Sequence, residues 1–583
     1  MTHLLNLESV ALRTFKVLAI GWLLTGCLPA DEQDAENAIY RHSLPASVQR
    51  MDPLHASDRY SGFMIQNVFE SLYRYQYLGR PYTLIPELAN GMPKVSADGL
   101  EVTIVIASGH YFSNSPEFSE GQGREVNAHD VAYSLRRHFD PSLRSEGAWL
   151  WRDWLVAPDP DNACAQICAT DDAVTFHLRR PFPFLAATLA TPFAAIVPQE
   201  VVDALGEEFT RAPIGSGPYQ LDHIDEFSAS LSLNPNYHRP RFSLEREGFQ
   251  QRIHPELLTT LDGLPLPLME MVEIAFVADE AARILAFDGA GSLDLIRLPA
   301  AQVHAMVTPT NSSSGPSISL NANYADLYNI SVAPELGFLR MDFNMADPDI
   351  GHAANPSNSQ RNRRLRCAVL AADSWQQRTQ QLYAGMGEVF RGVVPPQAGA
   401  APPTTPAPAA SFGEYYPLLN YGAVAGSLGR YEFDFFKTQL VNAGYPGGNI
   451  RFYSFATLGD LIRGIRDLKV NVFMTGWAMD YPDAMNNLQL FYGPNRLPGA
   501  NYSSFNNPGF NNAFAKAELL PDSPSRTKLL TEMANILNDE CVTLSGMARQ
   551  AVFLNQKNVT ALPDSGPMNG LMLRFVFKDP NSG

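Results

Sequence analysis

Residues 271–299, MVEIAFVADEAARILAFDGAGSLDLIRLP, read as strand, helix, glycine stop and strand. A strand that returns through a helix runs parallel to the strand it left, so at least one sheet is expected to hold parallel strands in an α/β fold. Other segments keep up the alternation. SDRYSGFMIQNVFESLYRY places Ile65, Val68, Phe69 and Leu72 on one helical face, with Ser57 or Asp58 as the cap. VNAHDVAYSLRRHFDP predicts a helix from Asn127, with Asp130 three residues on, ending before Pro141. AVTFHLRR turns Val174, Phe176 and Leu178 inward and Thr175, His177 and Arg179 outward, the pattern of a strand with a solvated histidine. RRLRCAVLAADSWQQ predicts one more helix, with Leu365, Ala368, Val369 and Ala372 facing inward.

At 583 residues the chain exceeds what one core can organise, and two to four domains are expected. Apolar residues make up 45% and aromatics 10%, enough for sizeable buried cores. A formal charge of −17 argues against a sequence-independent nucleic-acid binder. The Pro/Ala-rich segment 395–411 lacks periodicity and is expected to be an exposed, semi-extended linker.

The N-terminal stretch RTFKVLAIGWLLTGC sets Arg13 and Lys16 before a short apolar run, Val17 to Leu24, that ends in Thr25, Gly26 and Cys27. The run is too short to span a bilayer and suits a secretory signal. Two readings of Cys27 stand: the end of a plain signal peptide, or the cysteine of a bacterial lipobox. Beyond it lie four cysteines. Cys164 and Cys168, with three residues between them in a turn-rich segment, are expected to form a local disulfide; a zinc site would need a second nearby pair or a histidine. Cys367 and Cys541 fall on apolar helical faces and read as core residues.

Enzyme motifs are missing from the sequence: G-x-S-x-G, H-E-x-x-H, the P-loop and G-x-G-x-x-G do not occur. Ser216 in PIGSGPY lacks the spacing of a nucleophile elbow and reads as part of a rigid crossing segment. A binder is favoured over a catalyst, with no cofactor and no metal. NVFMTGWAMDYPD, residues 471–483, ends an apolar strand with an aromatic and two carboxylates. Ordinary turn chemistry accounts for it. So does a binding edge, since ligands of open α/β sheets lie beyond the carboxyl ends of strands.

DPLHASDRYSGFMIQNVFESLYRY, LIPELANGMPKVSADGLEVTIVIASGHYF, GREVNAHDVAYSLRR, FHLRRPFPFL, PIGSGPYQL, LNPNYHRP, RRLRCAVLAAD, FMTGWAMDYPD and NYSSFNNPGFNNAFAKA follow one another in order, within a match over roughly residues 50–545. Together they resemble the extracytoplasmic solute-binding proteins of ABC importers, in the peptide/nickel class. The resemblance implies a two-lobed α/β clamp of three domains: a discontinuous domain of 27–75, 187–300 and 526–583, an inserted domain of 76–186, and a second lobe of 301–525, behind a lipoprotein signal peptide of 1–26. It further implies a monomer anchored to the inner or outer membrane through lipidated Cys27, delivering short peptides to a permease and ATPase; the alternatives are the same fold binding a metal chelate, haem or glycan, or an orphan envelope sensor or chaperone.

In peptide-binding relatives the Asp after Gly-Trp-x-x meets the ligand's α-ammonium; that position is Asp480. Trp477, Tyr481 and Asn344 join it as expected ligand contacts, and Asp483 is expected to cap a turn or helix. Two departures stand out. The segment 395–411 takes the place of a family helix ending in Ala-Gly-Tyr, so the second lobe is expected to lack that helix, and Ser374 follows Asp373 where the family usually has Arg.

Overall fold

The computed structural model describes residues 39–48, 50–162, 164–251, 256–289, 291–312, 315–399, 411–425, 427–543, 545–561 and 571–579. The expected signal peptide, Cys27 and most of the Pro/Ala segment lie outside them. The start of that segment is partly buried: Pro396 is exposed, but Pro395 and Ala398 are buried, with Ala398 in a core beside Val393 and Val394.

Strand β1 (Ile39–Leu44) is followed by α1 (Arg59–Val68), whose N-terminus is capped by the Asp58 carboxylate accepting from the amides of Tyr60 and Ser61. Strands β2 (Lys94–Val95), β3 (Glu101–Val105), β4 (Ile167–Ala169) and β5 (Ala173–His177) form one sheet in the order β2-β3-β5-β4. Against it packs α2 (Ala128–Arg136), which opens with a complete capping box of Asn127 and Asp130. Strands β6 (Tyr219–Ile224), β7 (Ser228–Leu233) and β8 (Met271–Phe276) make a second sheet with β1, in the order β1-β8-β7-β6. The two sheets share one apolar core: Val102, Ile104, Val174 and Phe176 belong to the same cluster as Tyr40 and Val272. Gly215 and Gly217 cross directly over the end of α1, where a Cβ on Gly215 would sit 2.2 Å from the Val68 carbonyl oxygen. Only glycine fits there.

The strand–helix–strand unit does not close within one sheet. β8 pairs in parallel with β1, whereas β9 (Leu295–Arg297) pairs antiparallel with a strand of the next sheet. That sheet holds β10 (Tyr328–Phe343), followed by α3 (Pro356–Ala372) and α4 (Trp375–Leu382). The sequence reads these as one helix. Asp373 and Ser374 are extended, and the Ser374 hydroxyl caps α4 by accepting from the Gln377 amide. The sheet continues with β11 (Gly387–Arg391) and β12 (Leu419–Val424). Next comes α5 (Ser427–Asn442), which runs into Ala443, Gly444 and Tyr445. Gly444 has φ +97° and Tyr445 is buried, its hydroxyl donating to the Pro417 carbonyl. The expected loss of a helix ending in Ala-Gly-Tyr is therefore overturned: the helix is present, after β12 rather than before it.

Strand β13 (Ile450–Phe455), helix α6 (Leu458–Arg466), strand β14 (Val472–Ala478), helix α7 (Ala484–Leu488), helix α8 (Pro524–Asp539) and strand β15 (Ser545–Gln556) complete the second lobe. The sheet order is β9-β15-β10-β14-β12-β13, with β11 also on β15.

Two long strands, β10 and β15, pass between the lobes. Ala333, Ala551 and Phe553 lie in the first core, while Leu336, Phe338, Met547 and Ala548 lie in the second. The ladder between the strands slips between Pro334 and Phe338, and the crossing occurs there. This moves two expected boundaries. Leu530, Met533, Leu537 and Cys541 pack in the second core, so the chain returns to the first lobe in β15 and not near residue 525. Met306, Val307 and Tyr328 pack with Leu298, Val552 and Leu554 in a third, smaller cluster, so residues 301–328 stay outside the second core.

Candidate functional site

The sheet carries the β14 sequence from the interior to an edge between the lobes. Val472 and Phe473 are buried, and the pairing of Trp477 with Phe338 and of Ala478 with Gly337 places the strand end at the crossing region. Beyond it the Met479 amide donates to the Leu336 carbonyl at 2.9 Å, holding Asp480 at the lobe boundary.

Asn486, on α7, organises this corner. Its Oδ1 accepts from the Trp477 indole N–H at 2.9 Å, and its Nδ2 donates to Asp480 Oδ2 at 2.9 Å. Burial raises the Asp480 carboxyl above the ordinary aspartate value, opposed by the Asn486 hydrogen bond. Among the described residues no Lys, Arg or His forms an ion pair with it. Tyr481 reaches the other lobe, its ring stacked on Phe184 with centroids 5.5 Å apart. Asp483 caps α7 by accepting from the Met485 amide at 2.7 Å and pairs with Arg526 at 2.6 Å; the Arg526 guanidinium lies 5.0 Å from the Phe184 ring centroid.

Asn344 lies elsewhere. Phe343 pairs with Val472, so Asn344 sits at the opposite end of β14 from Ala478, about 20 Å along a strand of 3.3 Å per residue. It is buried, and its amide donates to the Ile465 and Val470 carbonyls while its Oδ1 accepts from the Ala346 amide. It braces a turn, which corrects the expectation of a ligand contact. Asn486 is the residue that reading missed; the only sequence signal was its position three residues into the helix that Asp483 caps.

Two cavities open along the boundary. One, of about 390 Å³, is lined by Trp149, Trp154 and Phe184 of the first lobe and by Tyr481, Asn486 and Tyr492 of the second. Arg180 and Glu518 bridge its walls at 2.7 Å. The other, of about 490 Å³, lies beside the crossing strands and is lined by Leu44, Tyr60, Arg297, Tyr383, Met547 and Arg549 among others.

Cys164 and Cys168 are bonded, with S–S 2.03 Å. Cys367 and Cys541 are bonded too, joining the second half of α3 to the end of α8, so they are not the free core thiols expected. Among the described residues, one group of His, Cys, Asp and Glu has metal-ligand spacing: Glu70, His110 and His238. There His110 Nδ1 lies 3.0–3.1 Å from both Glu70 oxygens, an ion-pairing arrangement that raises the histidine pKa despite burial. With the carboxylate engaged by the imidazole, the trio reads as a structural ion pair beside the His238 ring, which is tilted against His110 with centroids 4.2 Å apart.

The chain is 25% identical to the dipeptide-binding protein of Lactococcus lactis subsp. cremoris over 232 residues, 37% of this chain and 40% of that protein. It is 22% identical to heme-binding protein A of Haemophilus influenzae over 487 residues, 78% and 77% of the two chains. The structure of HbpA2 from Haemophilus parasuis superposes with a TM-score of 0.71 at 17% identity, covering 93% of this chain and 100% of that one. Residues 83–460 match the family described as bacterial extracellular solute-binding proteins, family 5 Middle. The chain therefore belongs to the family 5 extracellular solute-binding proteins, a family of binders rather than enzymes.

Proposed function

We propose that this protein captures short peptides outside the cytoplasm, held at the membrane by a lipid on Cys27, and passes them to the permease and ATPase of an ABC importer. The observation that carries the ligand class is Asp480: a carboxylate at the lobe boundary, oriented by Asn486, with no protein cation paired to it among the described residues. A ligand ammonium there gains a charge-assisted hydrogen bond worth about 1.5–3 kcal/mol. The name of the Lactococcus relative supports a peptide. The Tyr481–Phe184 stack and the Arg180–Glu518 pair join the lobes and are suited to hold a closed clamp over it.

The test is calorimetry and thermal shift with di- to pentapeptides. A ligand that binds only the closed, folded form raises the melting temperature. Asp480→Asn should weaken free-amine peptides by about tenfold or more, and N-acetylated peptides should bind wild type poorly and lose little further in the variant. If no peptide raises the melting temperature, or acetylation changes nothing, the peptide assignment is wrong. The longer alignment to the heme-binding protein favours a second reading, haem as the ligand. A hemin titration followed at the Soret band decides it.

A further inference from the structure

The 490 Å³ cavity beside the crossing strands is basic inside an acidic protein. Four arginines line it, Arg59, Arg283, Arg297 and Arg549, against two carboxylates, Glu280 and Glu335. They come from distant parts of the chain and meet only through the fold. Glu335 sits in β10 at the slip of the ladder and is buried under three of the four: Arg297 at 2.8 Å, Arg59 at 3.2 Å and Arg549 at 3.2 Å. One carboxylate neutralises one guanidinium, so this group keeps two positive charges. Arg283 donates to the carbonyls of Val277 and Ala278 and is not paired with an acid among the described residues. His42, also on the wall, is held neutral near pH 7, its pKa lowered to about 4 by burial. Arg297 is pushed below the ordinary arginine value by burial and by Arg59 and Arg549, in spite of Glu335.

Arg549 Nε and Glu335 Oε2 are buried and face each other at 3.2 Å, an ion pair without hydrogen-bond geometry. The guanidinium edge faces the strand end that carries the candidate site: a Cβ on Gly337 would lie 2.9 Å from Arg549 Nη2 and 3.0 Å from the Trp477 carbonyl oxygen. Gly337 pairs with Ala478, two residues before Asp480.

We propose that this chamber takes the carboxylate end of the ligand and selects for two negative charges there, so that di- and tripeptides ending in Asp or Glu are preferred over neutral ones. A guanidinium fork matches a carboxylate in bidentate fashion, and an excess of two such forks is satisfied by two carboxylates. This selectivity rests on the peptide reading above; the basic chamber itself does not.

The experiment is calorimetry on the mature chain with Ala-Glu, Ala-Gln and Ala-Glu amidated at its C-terminus, against wild type and Arg297→Gln. Ala-Glu should bind wild type at least tenfold more tightly than Ala-Gln or the amide, and Arg297→Gln should shrink that gap to less than threefold. An equal loss of all three ligands would mean Arg297 only supports the fold, and equal affinities in wild type would overturn the selectivity with peptide capture intact. If no peptide binds, peptide capture fails, and citrate then probes the chamber alone. A citrate-dependent rise in melting temperature that Arg297→Gln abolishes supports an anion site; no rise overturns it.

Discussion

Removing the Cys367–Cys541 bridge should cost far more stability than removing Cys164–Cys168, although each is one covalent bond. A cross-link lowers the entropy of the unfolded chain in proportion to the logarithm of the loop it closes. The sequence separations are 174 and 4. The loop-closure relation then gives about 5 kcal/mol for the long bridge and about 2 kcal/mol for the short one. The long bridge joins α3 to the chain just ahead of β15, beside Arg366, whose guanidinium donates to the Glu540 carbonyl at 2.7 Å. Both cysteines lie in the second core, so the loss should appear in the unfolding of the second lobe. The assay compares guanidinium unfolding, followed by circular dichroism, of Cys367→Ala/Cys541→Ala and Cys164→Ala/Cys168→Ala. Thiol labelling of unreduced, denatured protein should find none of these four cysteines free. Equal losses in the two variants would refute the loop-entropy reasoning, and two labelled thiols would refute the long bridge itself.

Burial holds the His138 pKa down at about 4, against 6.5 for an ordinary histidine, with its ring between Ser145 Oγ and the Phe193 carbonyl. A depressed folded-state pKa leaves stability intact above pH 6.5 and removes it as pH falls towards 4, by about 3 kcal/mol; pH-dependent unfolding of His138→Gln should lack that part of the loss, and parallel curves would contradict it. Gly215→Ala forces a Cβ onto the Val68 carbonyl oxygen and should destabilise by about 2 kcal/mol or more, whereas Gly448→Ala, with open space at its Cβ, should change little in the same denaturant titration. If Cys27 carries the anchor, Cys27→Ser should shift the protein from the membrane to the soluble periplasmic fraction, and an unchanged partition with no acyl mass on the mature N-terminus would reject the lipid.

Features governed by near neighbours were legible in the sequence. The Asp58 cap, the Asn127–Asp130 box and the inward Val174 and Phe176 of β5 are set within four residues, where side-chain pattern and backbone period act directly. The ordered motifs carried the family, and Gly-Trp-x-x-Asp pointed to Asp480. What lay far apart in the chain did not show. Strand–helix–strand periodicity in residues 271–297 is the same whether the two strands share a sheet or, as here, sit in different ones. Apolar periodicity buries Cys367 and Cys541 without saying that they meet. Asn344 and Asn486 are the same residue type, yet one braces a turn and the other orients Asp480, because the fold sets them at opposite ends of β14. The basic chamber is the extreme case, with arginines 59, 283, 297 and 549 brought to one cavity. Local propensity specifies each element, but which elements touch depends on the register of β10 and β15 and on the burial that register permits, and only the folded chain supplies both.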